Sequence, residues 1–406
     1  MTASRPPRLF NRDFLAYWLG IAFTAVGDAL TFVAMPFLVL ALGGSGTQLA
    51  AVTLLASLPR FAGPVLGALA DRLPLRPPLV ASAAVRGAVT ALVALLALQG
   101  LLPLWALYVA APLNGLVTIF TFSAGNVAVP RLVPAERLAQ ANALMQAAVM
   151  GVPMVGLGAG GALVAVLGPA ATLALSVPFL TLLAPAALLV RFPAGPPSES
   201  ASLHADLVTG VRFILTRPPL LVVLLATLVL NAGLNLLNVL MPLAMERSGA
   251  GAPGYGLFES LVSAGTLVGI LLITTVLHRV APRGLVAVAL TVVSGGFALL
   301  ASGTTLRLLG GGAVIGTGLG MAEVAAMTLM QLIIPDGLRG KVMGLVLPAN
   351  ALGLAIGAAI AGAIAPRPTF APALLLAAGA LLALAAVWAS LARGLRPDPA
   401  AAGNTA

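Results

Sequence analysis

The chain has 406 residues, of which 60% are hydrophobic and only 8% are charged. An ordinary soluble domain carries about 25% charged residues, so this composition excludes that class and predicts an integral membrane protein. The net charge of +10 is scattered singly between apolar runs, which argues against a nucleic-acid surface. With no cysteine and only two histidines, we expect no cofactor, no metal site and no thiol chemistry.

Twelve apolar segments of membrane-spanning length follow one another along the chain, separated by short turns rich in Gly, Pro or Arg. Their continuous apolarity favours helices over the alternating strands of a barrel. We predict an all-α integral membrane fold with twelve transmembrane helices, with tilt or breaks expected at Pro36, Pro153 or Pro348. The predicted spans are residues 14–42, 47–70, 78–99, 104–129, 138–166, 169–190, 219–244, 255–277, 284–302, 305–333, 341–365 and 370–392.

The basic residues predict the orientation of these spans. If the spans alternate, sixteen of the 21 basic residues fall on the side of the two termini and three on the other side. The positive-inside rule then places both termini in the cytoplasm of a multi-pass protein of the inner membrane. The remaining two, Arg60 and Arg86, fall inside predicted spans.

A polar stretch divides the chain into two related parts. We predict a six-helix bundle at 1–190, a cytoplasmic linker with a short amphipathic helix at 191–218, and a six-helix bundle with a short tail at 219–406. ADRLPLRPPLV (70–80) aligns with LHRVAPRGLVA (277–287), and the segment after Pro134 aligns with the segment after Pro335. These similarities predict duplication of a six-span unit.

The stretch GALADRLPLRPPL, which begins at Gly67 near the end of the second predicted span and leads to the third, resembles the loop motif of the major facilitator superfamily. PRLVPAERLAQANAL (130–144), YGLFESLVSAGTLVG (255–269) and PDGLRGKVMGL (335–345) resemble the branch of macrolide-efflux and enterobactin-exporter-like drug:proton antiporters. In contrast to many such antiporters, the fourth span carries no arginine.

The resemblance implies two pseudo-symmetric six-helix bundles around a cavity lined by the first, fourth, seventh and tenth helices, with alternating access. It also implies a gate on the cytoplasmic side, where an aspartate caps a helix of the opposite half. Anchoring by positive charge explains the arginines of this region equally well, but not the aspartate. The candidate gate residues are Gly67, Asp71, Arg72, Arg76, Arg279 and Arg283.

Polar side chains recur at one-face spacing on the first, fourth and seventh helices, and the tenth carries Glu323 with Met327 on the same face. The alternative for each asparagine and threonine is that it forms hydrogen bonds between helices and has no contact with substrate. The candidate cavity residues are Thr24, Thr31, Met35, Asn114, Thr118, Thr121, Asn231, Asn235, Asn238 and Met327.

Three acids lie within predicted spans. Glu259 is near the outer end of the eighth span, where it can snorkel to water. Asp28 and Glu323 lie deeper, where a charge costs roughly 2.5–3.5 kcal/mol even on the mildest scale. We therefore predict that they carry protons, with Arg60 and Arg86 as candidate partners. Counting the helical rise places Arg60 nearer to Asp28 in depth than Arg86. A purely structural ion pair is the alternative.

These features together predict a secondary transporter and not an enzyme, because no metal-ligand cluster or phosphate-binding loop is present. The expected activity is proton-coupled efflux of amphipathic small molecules, drug-like or macrolide-like. A siderophore or lipid exporter of the same fold is the alternative. The expected partners are a small-molecule substrate, protons and membrane lipid, with no nucleic acid, and the expected state is a monomer.

Overall fold

A computed structural model of the chain describes residues 11–63, 65–66, 74–192, 209, 211–276, 282–335, 338, 342 and 345–394. Within these residues the regular secondary structure is entirely helical. The α-helices are α1 (Arg12–Ala41), α2 (Gly46–Ser57), α3 (Arg76–Leu98), α4 (Leu104–Leu132), α5 (Leu138–Gln146), α6 (Val152–Leu167), α7 (Pro169–Thr181), α8 (Leu183–Leu189), α9 (Pro218–Arg247), α10 (Gly251–Val276), α11 (Pro282–Leu300), α12 (Thr305–Ile333), α13 (Val346–Ile364) and α14 (Ala371–Gly394).

The helices of the described residues match the predicted spans. Nine helical segments are long and apolar enough to cross a membrane, and 284–300 and 348–364 are shorter apolar helices. In this count α5 and α6 form one segment, as do α7 and α8, and α2 begins the remaining predicted span. The twelve predicted transmembrane helices are therefore confirmed, and most of their ends agree within a few residues.

Local sequence explains where several helices begin and bend. The Asn11 side chain accepts from the backbone N–H of Phe14 at 2.7 Å, which caps α1. A π-helical turn at Ala147–Gly151 joins α5 to α6, just before Pro153, so the expected break at this proline is a widened turn. The expected break at Pro36 is absent, because this proline lies inside the continuous α1.

Glycines with positive φ mark the same turns in the two halves of the chain. Gly43 follows α1 and Gly249 follows α9, with φ of 76° and 77°. Gly100 follows α3 and Gly303 follows α11, with φ of 70° and 75°. Only glycine adopts this backbone region without strain, so the predicted duplication is visible in the turns as well as in the helices.

We call α1–α8 the N half and α9–α14 the C half. The termini face is the face where α1 begins and α14 ends, and the far face is the opposite one. One large apolar core contains residues of both halves, and in the C half it extends to Leu285 and Trp388 near the termini face. Two smaller cores of the described residues lie toward the termini face, one around Phe14 and Tyr17 in the N half and one around Leu220 and Ile334 in the C half.

Small residues bring the halves together toward the far face. The N-half helices α6 and α2 pack against α10 and α13 of the C half. A Cβ on Gly256 would lie 2.5 Å from the Leu157 carbonyl oxygen and 2.9 Å from the Cα of Gly161. Farther toward the termini face, a Cβ on Gly151 would meet nothing within 4 Å. In the described part of the chain, the halves thus touch at the far side and diverge toward the termini face.

Candidate functional site

A cavity of about 510 Å³ lies where the N half meets the C half. Its walls come from α1, α2, the 3₁₀ turn Leu58–Ala62 and α4, and it is completed by Asn238 of α9 and Tyr255 of α10. This size falls within the range of about 300–1,000 Å³ that small-molecule sites occupy. Apolar residues dominate the lining, with a few polar groups among them.

The polar groups of the cavity lie mainly on α2, the 3₁₀ turn and α4. They include Thr53, Arg60, Asn114 and Thr118. The Thr118 hydroxyl donates to the Asn114 backbone carbonyl at 2.8 Å. The side-chain oxygen of Asn114 is buried and accepts no hydrogen bond from the described residues. An unpaired buried acceptor costs about 1–3 kcal/mol, so this oxygen is a candidate contact for a ligand donor.

An aromatic contact between the halves forms part of the opposite wall. The rings of Phe32 on α1 and Tyr255 on α10 stack with centroids 6.2 Å apart and planes inclined by 20°. Phe37 approaches the same tyrosine ring at 6.1 Å. Glu259 is half-buried one turn along α10, with its side chain next to Tyr255.

The structure brings five of the predicted cavity residues to this cavity. Two are on α1, two on α4 and one on α9, in agreement with the one-face spacing of those helices. They are Thr31, Met35, Asn114, Thr118 and Asn238.

Four other predicted cavity residues do not line it. Thr24 is buried and donates to the Gly20 carbonyl of its own helix at 2.8 Å. Thr121 does the same with Val117 at 3.0 Å. Asn231 and Asn235 face α13, where they donate to the Asn350 side chain at 3.2 Å and the Leu354 carbonyl at 2.6 Å. In the structure these four residues form interhelical or local hydrogen bonds, as the alternative to a role in the cavity predicts.

Asp28 pairs with Arg86. Arg60, which its similar depth in the membrane favoured as the partner, is not in this pair. Arg86 of α3 approaches both carboxylate oxygens of Asp28 on α1, with Nη1 donating to Oδ2 at 3.3 Å and Nη2 contacting Oδ1. The Asp28 side chain is 40% exposed and that of Arg86 is 12% exposed. Helical rise gives only the depth of a residue, whereas the direction in which it points decides its partner.

Nearby contacts place this ion pair inside the N half. Gly27, next to Asp28, packs on Leu180 of α7, and Gly87, next to Arg86, packs on Thr181. The Thr31 hydroxyl donates to Ser176 of α7 at 3.1 Å. The ion pair therefore lies where α1 and α3 meet α7, and Asp28 is not among the residues that line the cavity.

Glu323 and Met327 occupy a second space, a groove of about 560 Å³ between the halves toward the termini face. Gln146 and Met150 border it from the N half, and Leu267 of α10 borders it from the C half. Both Glu323 and Met327 are exposed. The two predicted proton carriers therefore occupy different sites.

Most of the predicted gate lies outside the described residues, namely Gly67, Asp71, Arg72 and Arg279, together with the side chain of Arg283. Arg76 is described, and its Nη2 donates to the Val190 carbonyl at 2.8 Å. Because Val190 ends α8, Arg76 places a positive charge at a helix C-terminus, which is favourable.

The sequence did not predict Thr53, Phe32 and Tyr255 as cavity residues, and it gave Arg60 a different role. Thr53 is on the second span and Tyr255 on the eighth, neither of which was expected to line the cavity. Phe32 is one residue beyond Thr31, and no polar pattern distinguishes it. A signal for Arg60 was present, because an arginine within a span must reach water, a partner or a ligand.

Twelve helical spans in two like halves around a small central cavity define a secondary transporter. The chain belongs to the Major Facilitator Superfamily, whose profile matches residues 17–358 and 223–405. It is therefore a transporter and not an enzyme.

Two proteins of similar sequence are transporters of this kind. The chain is 29% identical over 243 residues to an uncharacterized MFS-type transporter, y4rN, of Sinorhizobium fredii, a match that covers 58% of the chain and 59% of that protein. It is 31% identical over 291 residues to the enterobactin exporter EntS of Citrobacter koseri, covering 68% of the chain and 67% of that protein. The match to y4rN thus spans less than two thirds of that protein's length.

The nucleoside transporter NupG shares the fold. Its crystal structure superimposes with a TM-score of 0.73 at 15% identity, covering 95% of this chain and all of that one. At this identity the similarity concerns the fold alone.

Proposed function

We propose that the protein exports amphipathic small molecules, drug-like or macrolide-like, by alternating access driven by proton entry. The cavity of about 510 Å³ carries this proposal, because it combines apolar walls with a few polar groups at the junction of the halves. Met35 on its wall is flexible and polarizable, which suits ligands of different shape. The positive-inside pattern supports an orientation with both termini in the cytoplasm.

The Asp28–Arg86 pair is the proposed proton-responsive element. While Asp28 is an anion, its attraction holds α3 against α1. When Asp28 takes up a proton this attraction is lost, and Arg86 becomes a charge without a partner in a region of low dielectric. A shift of α3 relative to α1 and α7 relieves that state, and release of the proton toward the cytoplasm restores the pair. Glu323 in the groove between the halves is the second candidate carrier.

The loop from Gly67 to Leu79 is proposed as the cytoplasmic gate, with Asp71 capping a helix of the opposite half when the cavity is open to the outside. Arg72, Arg76, Arg279 and Arg283 would support it from the two halves. Its motif is expected at the inner surface, whereas the polar stripes lie within the spans, so we propose that it controls the rate of exchange without touching substrate.

Export of a siderophore is the second candidate function, favoured by the similarity to the enterobactin exporter of Citrobacter koseri. The two candidates differ in the molecule that the cavity accepts and share the transport cycle.

Reconstitution into proteoliposomes tests the proposal. A panel of fluorescent drugs, macrolides and siderophores would be offered with and without an imposed pH difference, and dissipation of that difference would be followed. Proton-coupled export requires that at least one compound accumulates against its gradient only when the pH difference is present. Accumulation that ignores the pH difference would contradict the proton coupling, and transport of siderophores alone would select the second candidate.

A further inference from the structure

Among the described residues that line the central cavity, Arg60 is the one that carries a charge, and it is not part of the Asp28–Arg86 pair. It lies in the 3₁₀ turn that continues α2 and is exposed, with the cavity as the space it lines. It is fourteen residues from Gly46, where α2 begins at the far face, which places it about 20 Å into the bundle. A guanidinium at this depth is far from bulk water on the far face.

The charge of Arg60 is not matched by an acid in the cavity. None of the described residues that line the cavity is acidic, and the ion pair found among the described residues joins Arg86 to Asp28 instead. Groups in a low-dielectric site interact strongly with charged ligands because solvent screens them poorly. The cavity is therefore positively charged when empty.

A neutral polar row continues from Arg60 along α4. The turn and α4 are in close contact, since a Cβ on Gly115 would lie 2.5 Å from the Ala56 carbonyl oxygen and 3.3 Å from Cγ of Pro59. This contact sets Asn114 at the level of the turn that carries Arg60. The buried side-chain oxygen of Asn114, which lacks a hydrogen bond from the described residues, can accept from a hydroxyl or amide of a ligand.

Facing this row, the cavity offers an apolar and aromatic wall that includes Phe32, Met35 and Tyr255. We propose that the cavity selects amphipathic anions, which place a carboxylate or phenolate at Arg60, a donor at Asn114 and an aromatic or aliphatic body against Phe32, which stacks on the buried Tyr255. This inference rests on the proposed export function and names the substrate class. It assigns Arg60 to substrate selection instead of proton coupling.

Three dansyl probes with the same aromatic body and different charge test the inference. Dansylglycine carries a carboxylate, dansylamide is neutral, and dansylcadaverine carries an ammonium group. Binding to the purified full-length protein in detergent would be measured by probe fluorescence, and transport of each probe in proteoliposomes. The wild-type protein should bind dansylglycine about tenfold more tightly than dansylcadaverine, which is the scale of one hydrogen bond to a charged group.

Substitutions at Arg60 identify the source of this preference. Arg60→Gln should remove the preference for the anion and leave binding of dansylamide unchanged, whereas Arg60→Lys should keep most of it. Arg307→Gln is the matched control, because it removes the same charge from an exposed position at the start of α12, away from the cavity. Asn114→Asp is a second, independent variant, which should weaken dansylglycine and favour dansylcadaverine.

The outcomes separate this inference from the proposed function. Transport of all three probes without an anion preference would overturn the inference and leave export intact. Anion-selective binding that depends on Arg60 but produces no transport would support the inference and contradict export. A preference for dansylcadaverine, the same preference in Arg60→Gln as in the wild type, or no binding of any probe would overturn the inference.

Discussion

Tyr255 stacks on Phe32 across the boundary between the C half and the N half, with ring centroids 6.2 Å apart. The contact joins α10 to α1 at the wall of the central cavity. A rearrangement of the halves therefore changes the shape of the cavity and this contact together. Aromatic pairs contribute about 0.5–1.5 kcal/mol beyond the apolar area that they bury.

Tyr255→Ala should weaken the binding of an aromatic substrate by about two- to tenfold, because it removes both the stack and part of the cavity wall. Tyr255→Phe keeps the ring and should bind nearly as the wild type does. Equilibrium binding in detergent measures the effect. Equal affinity of the alanine variant and the wild type would show that the ring does not touch the ligand.

Asp28→Asn should retain substrate binding but lose accumulation driven by a pH difference, because its side chain can no longer change charge. Removing one partner of a partly buried pair should also lower thermal stability, by about 2 kcal/mol. The double variant Asp28→Asn with Arg86→Gln should recover stability, since no charge is then left without a partner, but should not recover uphill transport. Thermal unfolding and proteoliposome uptake separate the two effects, and uphill transport by Asp28→Asn at the wild-type rate would rule out Asp28 as the proton carrier.

Gly256→Ala should separate the halves toward the far face, because the new Cβ would lie within 3 Å of Leu157 and Gly161 backbone atoms. Overpacking of this kind costs typically about 1–3 kcal/mol and should favour states that are open to the far face. Gly151→Ala is the matched control, since its Cβ would meet nothing within 4 Å. Thiol labelling of a cysteine introduced at the far face measures the opening, and identical labelling of the two alanine variants would contradict the close contact.

Asn238→Cys should react readily with small polar thiol reagents, and substrate should protect it, because position 238 lines the cavity. Asn231→Cys should react slowly, since position 231 faces Asn350 on α13. The chain has no native cysteine, so each variant carries a single thiol, and Leu236→Cys serves as a buried control. Equal reactivity at 231 and 238 would indicate that the three asparagines of α9 share one face that is accessible to water.

The spans were predictable because long continuous apolarity determines transmembrane helices with few alternatives. The π turn before Val152 was not, since it depends on a local shift of hydrogen-bond register that no residue type requires. Periodicity placed Asp28 and Thr31 one turn apart on one face of α1, where they contact Arg86 and Ser176. It could not show that this face meets α3 and α7, because the neighbours of a helix depend on the packing of the whole bundle.

The same limit explains the two arginines. The rise per residue gives each a depth, but the angular position around the bundle decides that Arg86 meets Asp28 whereas Arg60 lines the cavity. The gate motif is a different case. Gly67 and Asp71 lie outside the described residues, so their role stays a prediction from the sequence.

The close contact between Gly161 and Gly256 lies toward the far face, so the two halves can rotate relative to each other about this contact as a pivot. From Gly256, α10 runs for fourteen residues, or about 21 Å, to Ile270, which borders the groove toward the termini face. A rotation of the C half by about 10° around this pivot would move the helix at Ile270 by about 4 Å, roughly two thirds of one helical turn. The width of the entrance is then proportional to its distance from the pivot, so a few degrees of rotation decide how large a molecule the transporter admits.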